Sequence, residues 1–111
     1  MKHYSLAINN DPQNGQYYYN RGLVKSRLDQ VKQAIDDYSK ALDLTSENDH
    51  VFQARFNRGI CLRRLGPEYL DKSIEDLKKA VELKGDRPAV HNNLGLSYFE
   101  KEEFEAALEH Y

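Results

Sequence analysis

A chain of 111 residues, 40% apolar and 31% charged, has room for one globular unit and is too apolar to stay unfolded. Its formal net charge of −2 provides no global field toward nucleic acid or an anionic membrane, and its single cysteine, Cys61, excludes an intramolecular disulfide and suits a reducing compartment. No apolar run approaches a membrane span, and the N-terminal MKHYSLAINNDP lacks a signal-peptide core, so a cytoplasmic location is expected.

In chain order, the first predicted helix is 2–9, ending before Asp11-Pro12. The second, 15–28, repeats Tyr18, Arg21, Gly22 and Lys25 at i, i+3, i+4, i+7, and the third, 30–44, repeats Ala34, Tyr38, Ala41 and Leu42 at helical spacing. The fourth, 50–65, follows the start signal Asn48-Asp49, and the fifth, 68–84, is opened by Pro67. The sixth, 88–100, follows Asp86 and carries Pro88 at its start. The seventh, 102–111, has Glu102-Glu103 as an acidic first turn, where negative charge suits the helix dipole.

These helices repeat. YNRG at Tyr19–Gly22 returns as FNRG at Phe56–Gly59 and as NNLG at Asn92–Gly95. Ala7, Ala41 and Ala80 align, as do Tyr4, Tyr38, Leu77 and Tyr111. The step is 34 residues from Tyr4 to Tyr38 and from Leu77 to Tyr111, but 39 from Tyr38 to Leu77. Of the extra five, three sit near residues 46–50 and two around Gly66-Pro67, both rich in turn residues.

A 34-residue helix pair is the tetratricopeptide period, and the chain resembles the tetratricopeptide repeat family over its whole length. Tyr18, Gly22, Ala34, Tyr38 and Ala41 match the family signature in repeat one. Gly59, Leu77 and Ala80 match in repeat two, where Arg55 and Ser73 depart. Leu94, Gly95, Tyr98, Ala107 and Tyr111 match in repeat three, with His91 in the first large position. The resemblance implies an all-α, right-handed solenoid of antiparallel helix pairs in a single 1–111 domain. Its parts are a trailing half-repeat 1–12, repeat one 15–48, repeat two 49–87 with the insertions, and a truncated repeat three 88–111. The first helix of each pair (A) lines a concave groove and the second (B) lies outside.

What the family implies for the groove is carried position by position. Gln16, Tyr19, Asn20, Leu23 and Arg27 come from repeat one. Gln53, Phe56, Asn57, Ile60, Arg63 and Arg64 come from repeat two, and Asn92, Asn93, Leu96 and Phe99 from repeat three. The Asn two residues before each Gly often clamps a peptide backbone in this family, which implies that role for Asn20, Asn57 and Asn93. Arg27, Arg63 and Arg64 against Glu100 predict a positive strip threaded with apolar side chains, suited to an extended peptide with apolar and some acidic residues. Leu23, Ile60 and Leu96 read equally as contacts between A helices. Of the family's chaperone-binding carboxylate clamp only Asn57 is present, with Tyr19, Leu23, Ala89 and Asn93 at the other positions, so that mode is not expected. Arg21 with Asp37, and Arg58 with Asp76, predict an A-to-B bridge in repeats one and two.

The histidines do not cluster and one cysteine cannot build a thiolate site, so no metal or other cofactor is expected. Cys61, beside Gly59 at a small-residue position, is expected to be buried and inert. No phosphate loop or nucleophile elbow is present, and a non-catalytic adaptor or scaffold is expected. Basic residues are too few to favour nucleic acid. The alternative is a building block of a larger assembly that uses the solenoid ends and convex face. Tyr4, Ala7 and Ile8 at one end and Phe104, Ala107, Leu108 and Tyr111 at the other are expected to be partly uncovered. That leaves room for a longer solenoid, for a frayed monomer, or for end-to-end self-association or exchange, with residues 46–50 as the hinge.

Overall fold

A computed structural model describes residues 14–110, with side chains as far as Glu105. The expected half-repeat 1–12 and Tyr111 lie outside the described residues. Among them run five α-helices: α1 Gly15–Arg27, α2 Val31–Leu44, α3 Asn48–Leu65, α4 Leu70–Leu83 and α5 Pro88–His110, with a 3-10 turn Pro67–Tyr69 before α4. The molecule is elongated, 53 × 29 × 19 Å, as a solenoid and not a closed bundle.

Local chemistry sets the helix ends. Asn14 caps α1, its side chain accepting from the Gln16 amide at 3.0 Å. The chain leaves α1 through Asp29, whose φ of 63° is left-handed, and the Gln30 amide closes the end on the Lys25 carbonyl at 2.8 Å. The chain leaves α3 through Gly66, whose φ of 154° is also positive and is one that a side chain rarely accepts. The two extra residues of repeat two are absorbed by the 3-10 turn, with Pro67 at its start. The three extra residues lengthen the start of α3, which begins at Asn48 and not at 50. Asn48 and Asp49 therefore lie inside its first turn, where Asp49 pairs with Lys84 at 2.6 Å.

The B helices are one-sided. α2 buries Ala34, Asp37, Tyr38 and Ala41, and α4 buries Ser73, Ile74, Asp76, Leu77 and Ala80. Helix α3 is sandwiched between them and buries residues around its circumference, including Phe52, Ala54, Gly59 and Cys61. One core cluster joins Ala34 and Tyr38 of α2 to Cys61 of α3, and another joins Phe52 and Ala80 to Val90 of α5. The core thus continues across repeat boundaries, as stacked pairs require. Full burial of one such large side chain stabilises by about 2–3 kcal/mol.

Within a pair, the glycine sets the approach. A Cβ on Gly22 would lie 2.8 Å from the Tyr38 ring, and one on Gly59 2.8 Å from Leu77 Cγ. Neighbouring A helices touch, α1 with α3 and α3 with α5, whereas α2 and α4 do not approach one another. The stack therefore curves with the A helices on its concave side.

The expectation of separate helices at 88–100 and 102–111 is corrected: one helix runs from Pro88 to His110. The reason lies at the turn. Seven residues after Gly22 and Gly59 come Asp29 and Gly66, which take the positive φ that each turn needs. Seven after Gly95 comes Glu102, a strong helix former that resists that conformation. Lys101 further ties the junction, reaching Asp71 of α4 at 2.8 Å and Glu105 at 3.9 Å.

Candidate functional site: the concave face

The centre of the concave face is a link between α1 and α3. Asn57 Nδ2 donates to the Tyr19 hydroxyl at 3.0 Å and to the Gln53 carbonyl at 2.9 Å. Tyr19 is held from behind by Tyr38, ring centroids 5.7 Å apart. Burial raises the Tyr19 pKa, with Arg27 opposing, so the hydroxyl keeps its proton. Toward the start of α1, Asn20 accepts from Gln16 Nε2 at 3.1 Å. On α5, Asn93 Nδ2 donates to the Ala89 carbonyl at 2.8 Å while its oxygen accepts from Arg63 at 3.3 Å. The three repeated asparagines thus stand in one line along the A helices, two of them joined to a neighbouring helix.

The charge of this strip is lower than the sequence suggests. Arg63 meets Glu100 at 3.3 Å, and Arg64 meets Asp29 at 2.7 Å and donates to Ser26 at 3.3 Å. Arg27 is exposed and pairs with no carboxylate among the described residues. Apolar side chains divide along the groove. Leu23, Phe56 and Ile60 are half-buried, and Phe56 stacks on Phe52 at 5.9 Å. Leu96 and Phe99 stand 45% and 60% exposed. Gln53 and Asn92 are exposed beside them.

Both Arg–Asp bridges form. Arg21 binds Asp37 through two nitrogens at 2.9 and 2.8 Å, and Arg58 binds Asp76 at 2.7 and 2.8 Å. They are deeper than surface pairs, for Asp37 is 4% and Asp76 2% exposed. Each carboxylate has a second cation that sequence reasoning missed, Lys25 at 3.0 Å on Asp37 and Arg55 at 2.8 Å on Asp76. The signal was present: Arg21 with Lys25 and Arg55 with Arg58 share a helix face at i+4 and i+3 spacing. Ser73, a departure from the signature, is satisfied in the core by the Gly59 carbonyl at 2.7 Å and by Ser97 at 2.9 Å. Cys61 is 1% exposed, and burial pushes its pKa up, so it is a core thiol.

A further cavity lies elsewhere. A cleft of about 500 Å³ opens on the convex side where α2 and α4 part, lined by Ile35, Arg58, Leu62, Leu65, Tyr69 and Lys72 among others. Its basic side chains are balanced by Asp36, Glu75 and Asp76, so it presents no net charge to a ligand. No helix among the described residues is long and apolar enough to cross a membrane.

Antiparallel helix pairs stacked through a shared core, with a line of repeated asparagines on the concave side, define an α-helical repeat protein. Residues 15–48 match the tetratricopeptide repeat family, so the chain carries a tetratricopeptide repeat. It is similar to the photosystem I assembly protein Ycf3 of Prochlorococcus marinus subsp. pastoris (strain CCMP1986 / NIES-2087 / MED4). The two are 32% identical over 92 residues, which cover 78% of this chain and 49% of that protein. It is also 38% identical over 45 residues to the human (Homo sapiens) mitochondrial import receptor subunit TOM70, covering 40% of this chain and 7% of that one. The chain therefore spans about half the length of the first relative and a small part of the second.

Proposed function

We propose that this chain is a non-catalytic interaction module that holds a peptide or protein segment along its A helices. One observation carries the reading. Asn57 and Tyr19 spend one donor and one acceptor on each other, while the Asn57 amide oxygen and the Tyr19 O–H bond to nothing among the described residues. They offer an acceptor and a donor on one surface, the complement of a peptide N–H and C=O. Leu96 and Phe99 supply exposed apolar contact along the same face, and Arg27 an exposed cation. The partner is an extended segment with apolar and some acidic side chains. The relatives are by name an assembly protein and an import receptor subunit, which supports the class. A cytoplasmic setting belongs to the proposal and rests on the single, buried Cys61. Nucleic acid is disfavoured because Arg63 and Arg64 already meet carboxylates.

Selection of a random peptide library on the full chain tests this. The peptides retained are apolar with acidic residues and bind at about micromolar Kd, roughly −8 kcal/mol. Asn57→Ala weakens them by about 1–3 kcal/mol, measured by calorimetry. Peptides that bind Asn57→Ala as well as wild type contradict the proposal. A second reading, a building block that assembles through its end, is favoured by the exposed face of α5.

A further inference from the structure

We infer that α5 is an exchange helix: residues 102–110 of one copy pack on the His91–Gly95–Tyr98 face of a second copy, and reciprocally. The inference rests on the building-block reading and is independent of the groove.

Three positions on each A helix hold its own B helix. In repeat one they are Tyr18, Gly22 and Lys25; Gly22 meets Tyr38, and Lys25 reaches Asp37 at 3.0 Å. In repeat two they are Arg55, Gly59 and Leu62. Arg55 reaches Asp76 at 2.8 Å, Gly59 meets Leu77, and Leu62 is buried. In repeat three they are His91, Gly95 and Tyr98, all exposed. Among the described residues nothing lies within 4 Å of where a Gly95 Cβ would be. The same face that is filled twice is open the third time.

The chain encodes the missing occupant. Tyr38 follows Gly22 by 16 residues and Tyr111 follows Gly95 by 16, with Ala107 at the register of Ala34. That segment cannot return to its own A helix, because α5 continues unbroken from Pro88 to His110. At 1.5 Å per residue, its end stands roughly 22 Å beyond Gly95 along the axis. Two copies of α5 laid antiparallel solve both problems at once. In a closed repeat, Arg21 faces Asp37 and Gly22 faces Tyr38. The same pairing in repeat three centres a two-fold axis near Glu102 and Glu103, so each copy fills the other's open face. The hinge is thus at residues 102–103 and not at 46–50. The four glutamates that meet near the axis repel, so added salt strengthens the association.

Light scattering on the full chain over a concentration series, with circular dichroism to verify helicity, tests the inference. Wild type is a dimer whose dissociation constant falls as salt is raised. Glu102→Gly supplies a residue free to take positive φ, as Gly66 does in repeat two, lets the segment fold back, and raises that constant by about tenfold or more. Gly95→Leu keeps the fold, since its site is open, and also dissociates the dimer. Asn57→Ala leaves the dimer intact, which separates this result from the groove reading. A wild-type monomer at the highest concentration overturns the inference, as does a dimer that both Glu102→Gly and Gly95→Leu leave unchanged.

Discussion

Gly59 and Gly95 hold the same place in the repeat and live in different surroundings. A methyl on Gly59 would sit 2.8 Å from Leu77 Cγ and 3.3 Å from the Ser73 carbonyl, whereas one on Gly95 would meet nothing within 4 Å among the described residues. The contrast extends to charge. In repeats one and two an arginine next to the glycine position closes on a buried aspartate, but in repeat three the arginine is Leu94. A repeat signature therefore records which surfaces are shaped to meet, and whether they meet depends on the turn that follows. Asp29 and Gly66 make that turn; the helix passes straight through Glu102.

The largest expected effect that sharpens this comparison is at Gly59. Gly59→Leu should drive α3 from α4 and cost about 3 kcal/mol or more, because one neighbour is backbone that cannot rotate away. Thermal unfolding by circular dichroism checks it, and an unchanged melting temperature would break the register. Next comes Asp76→Ala. It leaves Arg55 and Arg58 without their shared carboxylate, and because both keep some access to water the loss should be about 2–3 kcal/mol, at or below the range for breaking a buried pair. Chemical denaturation reads this directly; a change below about 0.5 kcal/mol would mean the pair acts like a surface bridge. The smallest effect is at Gly95. Gly95→Ala should be neutral or raise stability by up to about 1 kcal/mol, since helix propensity gains and nothing is displaced. The measurement is made at a dilution where the chain is monomeric, so destabilisation there would show that the chain covers this face itself.

Much of this was legible before any coordinates. Helix pairs, the glycine contacts and both Arg–Asp bridges repeat in the sequence, and repetition separates a packing rule from chance. The departures Arg55 and Ser73 were visible, but their partners were not. Arg55 acts through Asp76, 21 residues away, and Ser73 through Ser97, 24 away. The groove charge was overstated for the same reason, since Arg63 and Arg64 are quenched by Glu100 and Asp29, 37 and 35 residues distant. The continuity of α5 was missed because resemblance carried the family's turn onto a position, Glu102, that lacks the residue to make it.

The claim that the A-helix face recognises a peptide is tested most directly by the footprint of a selected peptide. Side-chain amide resonances of Asn20, Asn57 and Asn93, followed by NMR during titration, should shift together with the backbone of α1, α3 and α5. Shifts confined to the convex cleft, at Ile35, Tyr69 and Lys72 on the far side of the molecule, would contradict it.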